Sequence, residues 1–336
     1  MNWLYRCYQC GAEYAIEPGR YLCDACAAGQ NPDQPLAGVL ECHWVELAAS
    51  AAGAGFAGVT ATGRSRAAAD IAPDAIPLPV EPGWVPASPV GDTPLGAPER
   101  LRAGTGFPNL WLKDDTCNPS GSFKDRASFL VAAFARKHGI KEVALASTGN
   151  AASSMACIGA AAGLKITVFL PKAAPVAKRI QVLQYGAGLR PVAGTYDLAF
   201  DQSLAYSRET GVLSRNTAFN PLTIEGKKTV AFEICRDLAR AGADMAPAWL
   251  APDHVFVPTG DGVILAGVYK GFEDLLRLGR ISRMPVVWAC QAQGSSAIAR
   301  ALAAGSFGAP VASDTLADSI AVDVPRNGSH ALAKLQ

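Results

Sequence analysis

The sequence has no block of basic residues. Its 30 Lys and Arg balance 29 Asp and Glu to a formal charge of +1, which removes the long-range attraction that binders of nucleic acid or anionic membranes rely on. Nor does any stretch offer about 18 uninterrupted apolar residues, the length a membrane helix needs. The opening MNWLYRCYQCGAEY meets cysteines and polar residues before the apolar run of an export signal can develop. The dense, even cysteine set of a small disulfide scaffold is also missing: there are nine cysteines, and Cys42, Cys117, Cys157, Cys235 and Cys290 are scattered through the body of the chain. A soluble protein of a reducing cytoplasm is expected, with a small molecule rather than nucleic acid or membrane as its partner.

What is present is apolar mass. Half of the 336 residues are hydrophobic, enough to bury a sizeable core. Residues 1 to about 30 carry CYQC and CDAC, and roughly 48–98 are rich in Ala, Gly and Pro, including PLPVEPGWVPASPVGDTPLG, a composition that wraps surfaces rather than forming long helices. From Leu110 onward short apolar runs (EVALAST, KITVFLP, LRPVAG, VLSRN, HVFVPTG, PVVWACQAQG) alternate with helix-length ones. That alternation predicts an α/β fold with a mainly parallel sheet.

In such folds ligands sit where glycine-rich turns lead from strand ends into helices. Three turns qualify: PSGSFKD (119–125), ASTGNAAS (146–153) and PTGDGVILAG (258–267). The third, with Gly260 and Gly262 before a helical run, can offer backbone N–H groups and a helix N-terminus to a phosphate. The second places Ser147, Thr148 and Asn150 around Gly149, where hydroxyls and amides can receive a carboxylate, although STGN alone is commonly just a helix cap. In the first, Lys124 stands among small residues at the start of a helical run. An amine so placed near a phosphate cradle can condense with an aldehyde and make an amino acid's Cα–H acidic through a cofactor's electron sink.

Taken together, GDTPL (91–95), LWLKDDTCNPSGSFKDRAS (110–128), STGNAAS (147–153), NPLTIEGKKT (220–229), VPTGDG (257–262) and ADSIAVDVPRNG (317–328) resemble the pyridoxal-phosphate enzymes of the tryptophan-synthase β fold (fold type II), and among these the threonine synthases. The resemblance runs in order from about 85 to 330. It implies two parallel-sheet α/β domains with pyridoxal 5'-phosphate between them: a large domain from 31–126 and 217–336, its C-terminal part missing, and a small mobile domain from 127–216 that closes over substrate. Lys124 matches the lysine that carries the cofactor, and Phe123 the aromatic before it. Asn150 matches the residue bonding the pyridoxal 3-hydroxyl. Ser147, Thr148 and Gly149 match the substrate-carboxylate loop, with Asn150 and Ala151 counted among its substrate contacts although Ala151 stands where a hydroxyl residue is common in the family, and Gly260, Asp261, Gly262 and Val263 match the cofactor-phosphate loop. A homodimer is implied as well.

Three departures accompany the likeness. Where threonine synthases carry polar residues and an arginine for the substrate phosphate of O-phosphohomoserine, this chain reads Thr217, Ala218 and Thr223, and a dianion loses its guanidinium fork. Asp261 inside a phosphate loop repels an anion unless it turns away, and it is expected to point outward. Family members also continue past VPRNGSHALAKLQ, so the chain is expected to be truncated at Gln336 and to expose sheet edge and apolar surface.

At the other end, Cys7-x2-Cys10 and, twelve residues on, Cys23-x2-Cys26 have the spacing of a tetrathiolate zinc ribbon. GAGFAG (53–58) spells a dinucleotide fingerprint, but VELAASAA before it is no credible strand, and WVELAASAAGAG is expected to be an Ala-rich helix or wrapping segment. The function expected is a pyridoxal-phosphate lyase of the threonine-synthase kind, converting O-phosphohomoserine to threonine by γ-elimination and addition of water. The alternatives are a serine/threonine dehydratase or β-replacement enzyme, and, of another class, an inactive cofactor-binding or interaction remnant.

Overall fold

The computed structural model describes residues 2–45, 75–174, 176–242 and 248–336; GAGFAG and nearly all of WVELAASAAGAG lie outside these. The chain opens on a three-stranded antiparallel sheet of order β2-β1-β3, formed by β1 (Asn2–Cys7), β2 (Glu13–Ala15) and, beyond the short helix α1 (Asp24–Ala27), β3 (Leu40–Val45). Tyr5, Cys7, Leu40 and Cys42 turn inward from it and join the main core. The next described stretch wraps as its proline content predicts: Ile76, Leu78, Val80, Val85 and Val90 are each buried along an extended path. A minimal antiparallel pair, β4 (Leu95–Gly96) and β5 (Leu112–Lys113), flanks α2 (Glu99–Thr105).

The predicted alternation then appears. It runs α3 (Asp125–Lys137), β6 (Glu142–Ala146), α4 (Asn150–Ala162), β7 (Lys165–Pro171), α5 (Val176–Gln184), β8 (Gly188–Val192), α6 (Tyr196–Thr210) and β9 (Leu213–Ser214). All pairings in this sheet are parallel, in the order β8-β7-β6-β9. Its central strands are covered by helices, so they read as continuous apolar runs rather than alternating ones; Val143, Leu145 and Val168 are wholly buried, each worth about 1.5–3 kcal/mol over exposure.

The remainder is α7 (Leu222–Glu225), a 3-10 turn over 226–228, α8 (Thr229–Ala241), β10 (His254–Pro258), α9 (Val263–Arg277), β11 (Val286–Cys290), α10 (Ala297–Ala304) and α11 (Gly328–Leu335). β10 and β11 pair in parallel as a two-stranded sheet. One face of that pair is bare: Phe256 and Trp288 stack at 6.0 Å with their rings 11° apart, and both are largely exposed, as is Val286. Among the described residues no helix is long and apolar enough to cross a membrane.

Ionic pairs buried beneath the helices fix how they meet. Arg126 on α3 is 1 % exposed. It donates to Asp115 at 2.6 and 2.8 Å and to Glu233 on α8 at 2.5 and 2.8 Å, and Lys113 reaches Glu233 at 2.8 Å. Lys228 and Lys270 share Glu225 and Asp274 in the same manner between α7 and α9.

Candidate active site

The turn before α3 explains how Lys124 is presented. The carboxylate of Asp125 accepts the Ser120 amide at 2.7 Å and the Ser120 hydroxyl at 2.5 Å, and the Gly121 amide closes on the Asn118 carbonyl at 2.8 Å with Gly121 at φ +75°. Asn118 is itself held, accepting from the Gly91 amide and donating to the Asp115 carbonyl. The Lys124 amide donates to Ser122 Oγ at 3.1 Å, which sets the side chain at the mouth of α3. Its amine has no hydrogen-bond or ion-pair partner among the described residues. Burial pulls its pKa below the usual lysine value; Asp261 opposes that shift and Arg215 adds to it. Phe123, half-buried, lies with its ring centroid 5.7 Å from the Arg126 guanidinium.

The turn after β6 is braced on both sides. Ser147 accepts from the Gly149 amide at 3.2 Å, Asn216 holds the preceding Ala146 amide at 2.7 Å, and the Tyr196 hydroxyl donates to the Ala146 carbonyl at 3.3 Å. Thr148, Gly149 and Ala151 are part-exposed and Asn150 is open to solvent at the start of α4. The Asn150 amide reaches Ser319 Oγ at 3.5 Å.

The turn after β10 delivers the N-terminus of α9. Gly262 has φ +89°, a conformation that side chains rarely adopt. A Cβ on Gly260 would lie 2.9 Å from the backbone of Ile320, so the 318–320 turn packs directly on this loop. The same short segment therefore touches both the 147–150 turn and the 260–263 loop.

The amides of Gly260, Asp261 and Gly262 have no hydrogen-bond partner among the described residues, which leaves three successive donors at a helix start. Beside them the Asn327 side chain is fully buried with its Nδ2 unpartnered. Asp261 corrects an expectation. Its carboxylate does not point outward but folds back to accept the Val263 amide at 3.0 Å, because a carboxylate two residues ahead of a helical N–H finds its hydrogen bond locally. There it also lies within electrostatic reach of Lys124, Arg215 and Lys227.

Sequence reasoning missed two groups close to Lys124 and Asp261. Arg215 and Lys227 are both fully buried, and Arg215 Nη2 and Lys227 Nζ have no hydrogen-bond partner among the described residues. The available signal was position alone: Arg215 stands one residue past β9, at a strand's carboxyl end. The open cavity between the N-terminal element and β9, lined by Tyr21, Leu204 and Phe219, contains none of the predicted site residues.

At the N-terminal element the four thiols of Cys7, Cys10, Cys23 and Cys26 converge, all within 4.8 Å of one another. Cys7 and Cys26 are 3.8 Å apart and Cys10 and Cys23 3.6 Å. A zinc tetrahedron with bonds of about 2.3 Å has sulfur–sulfur edges of about 3.8 Å.

Comparison with known proteins is consistent with this geometry. The family described as pyridoxal-phosphate dependent enzyme matches residues 87–336. Threonine synthase of Methanocaldococcus jannaschii is 35% identical over 212 residues, covering 63% of this chain and 50% of that protein. Threonine synthase of Methanosarcina acetivorans is 32% identical over 254 residues, covering 73% and 59%. The chain thus spans between half and three-fifths of the length of these two relatives. Among solved structures, the processed form of threonine deaminase isoform 2 from Solanum lycopersicum superposes with a TM-score of 0.60 at 25% identity, over 72% of this chain and 62% of that one. A family match that takes in all three turns, on a backbone that leaves Lys124 without a partner among the described residues, makes this chain a pyridoxal-phosphate dependent enzyme of fold type II, of the threonine synthase-like kind.

Proposed function

We propose that the chain is a carbon–oxygen lyase acting on a small amino acid, with the threonine synthase reaction as its first candidate. The observation that carries this is the Lys124 amine, which has no hydrogen-bond or ion-pair partner among the described residues and lies within electrostatic reach of Asp261 in the 260–263 loop. The residues present fit pyridoxal 5'-phosphate: Lys124 offers a free amine, the amides of 260–262 and the Asn327 side chain offer donors to a phosphate, and Asn150 offers an amide for the ring hydroxyl. When bound, that group supplies an aldehyde for attachment to an amine and a sink for the electrons released at Cα.

The protein does the rest. The Ser147–Ala151 turn receives the substrate carboxylate and fixes which Cα bond faces Lys124. The Lys124 amine takes the proton from Cα and returns it later in the sequence. A group on the side chain leaves with its electron pair, and water supplies the hydroxyl of the product. Closure of 127–216 over the crevice would keep bulk water from the reacting carbon. Thr223, buried and bonded to the Asn220 carbonyl at 2.7 Å, stands where an arginine is expected, which favours serine or threonine dehydration as the second reading. In the N-terminal element we propose a structural zinc on Cys7, Cys10, Cys23 and Cys26, whose spacing suits it.

The test uses the protein loaded with its cofactor. A visible absorption band should be present and should be lost in Lys124→Ala. Products from O-phosphohomoserine, threonine and serine then identify the substrate. Retention of the same band in Lys124→Ala would sink the assignment.

A further inference from the structure

Two arginines are buried among the described residues, Arg126 and Arg215, and the first is fully paired. Arg126 gives its nitrogens to two carboxylates and two hydroxyls. Arg215 is equally buried, at 0 % exposure, yet meets no carboxylate among the described residues. Nε donates to Ser128 Oγ at 3.3 Å and Nη1 to Thr217 Oγ1 at 2.6 Å, while Nη2 meets no acceptor among the described residues. The acidic groups nearest in charge are engaged elsewhere, Asp125 by Ser120 and Asp261 by the Val263 amide. A buried guanidinium with free N–H groups is costly unless an anion comes to it.

Its location says which anion. The Arg215 amide bonds to the Ala144 carbonyl at 2.9 Å, two residues before the end of β6, and Ser128, which accepts from Nε, lies one helical turn beyond Lys124 on α3. Arg215 is therefore held between the Lys124 helix and the end of β6, which leads into the turn that would take the substrate carboxylate. Lys227 is a second unpartnered donor, close enough to Lys124, Asp261 and Arg215 for their charges to act on it. Burial brings Arg215 down to about 10, so it is still charged at neutral pH.

We infer that Arg215, with Lys227 as a second donor, is a specificity-determining residue that holds an anionic group, a phosphate or a carboxylate, at the far end of the substrate. This rests on the function proposed above and supplies, from just past β9, the guanidinium that position 223 lacks. Two donor residues suit a doubly charged phosphate better than a single carboxylate.

Inorganic phosphate and acetate are titrated calorimetrically into the cofactor-loaded protein, its Arg215→Gln variant and its Thr217→Val variant. Phosphate should bind the parent, more tightly than acetate, and Arg215→Gln should weaken it roughly 10- to 100-fold. Thr217→Val, which frees Nη1 without removing charge, should change affinity by a smaller factor. In turnover, KM for O-phosphohomoserine should rise by the Arg215→Gln factor with kcat changing less. Tighter acetate than phosphate binding would reassign the group as a carboxylate. Equal phosphate affinity in parent and both variants, each keeping the visible band, overturns the inference. The titration does not read turnover, so it can fail while the Lys124 band stands, and the reverse.

Discussion

Two neighbouring lysines, Lys124 and Lys227, are both pushed down in pKa by burial, Lys227 the further. Lys124 sits at a helix mouth with its amine free; Lys227 is wholly enclosed, and burial, reinforced by the charges of Lys124 and Arg215 and opposed by Asp261, holds its pKa well below the usual lysine value. The unfolded chain therefore binds a proton on this side chain over a pH interval in which the folded chain does not. More protons on the unfolded side mean that stability rises with pH across that interval, up to the ordinary lysine value of 10.5. Lys227→Met should raise the stability of the cofactor-free protein at neutral pH by about 1–3 kcal/mol and flatten its rise with pH, measured as urea midpoints at several pH values. A midpoint that drops, with the pH slope unchanged, would show that the amine has a partner. Lys124 was legible in the sequence because its frame is local: Asn118, Ser120, Gly121 and Asp125 lie within seven residues of it and bond mainly to one another. Lys227 and Arg215 were not, because an absent partner is a property of the packed crevice and no neighbour in the chain announces it. Asp261 was misread for the opposite reason, a local hydrogen bond to Val263 outweighing the repulsion considered from afar.

At the scale of elements, the N-terminal sheet was only half visible. The paired CxxC motifs mark its knuckles, but its third strand, Leu40–Val45, lies well past the last of them and is identified by its antiparallel register with β1, Trp3 opposite Trp44 and Tyr5 opposite Cys42. That strand carries Glu41, which accepts from His330 at 3.0 Å on α11, while the Tyr21 hydroxyl accepts the Ser214 amide at 2.8 Å. The element is thus fastened to both larger parts of the fold. One zinc per chain should be found by elemental analysis, and Cys10→Ser or prolonged chelation should lower the melting temperature while leaving the mutual pairing of β6 and β7 intact by circular dichroism. A chain free of metal with an unaltered melting temperature would remove zinc from the account. The central strands β6 and β7 were fully legible, since a buried parallel strand needs only an unbroken apolar run; the tiny β4–β5 pair was not, being two residues long on each side.

For the molecule as a whole, the buried ionic links set the response to acid. Burial pushes the Glu233 carboxyl upward, but Arg126 and Lys113 outweigh it and hold the group down at about 2, against 4.5 for an ordinary glutamate. A depressed folded value means that its stabilisation is complete above pH 4.5 and is lost as pH falls towards 2. Arg126→Met should cost about 3–5 kcal/mol at neutral pH, because Asp115 and Glu233 stay buried without their cation, and the variant should lose less on acidification than the parent. Equal acid sensitivity in the two would place the acid response elsewhere. The paired sheet of β10 and β11 has a different consequence. With a net charge near zero there is little colloidal repulsion between molecules, and the stacked rings of Phe256 and Trp288, beside strands that pair with no third strand among the described residues, are where two of them would first adhere as concentration rises.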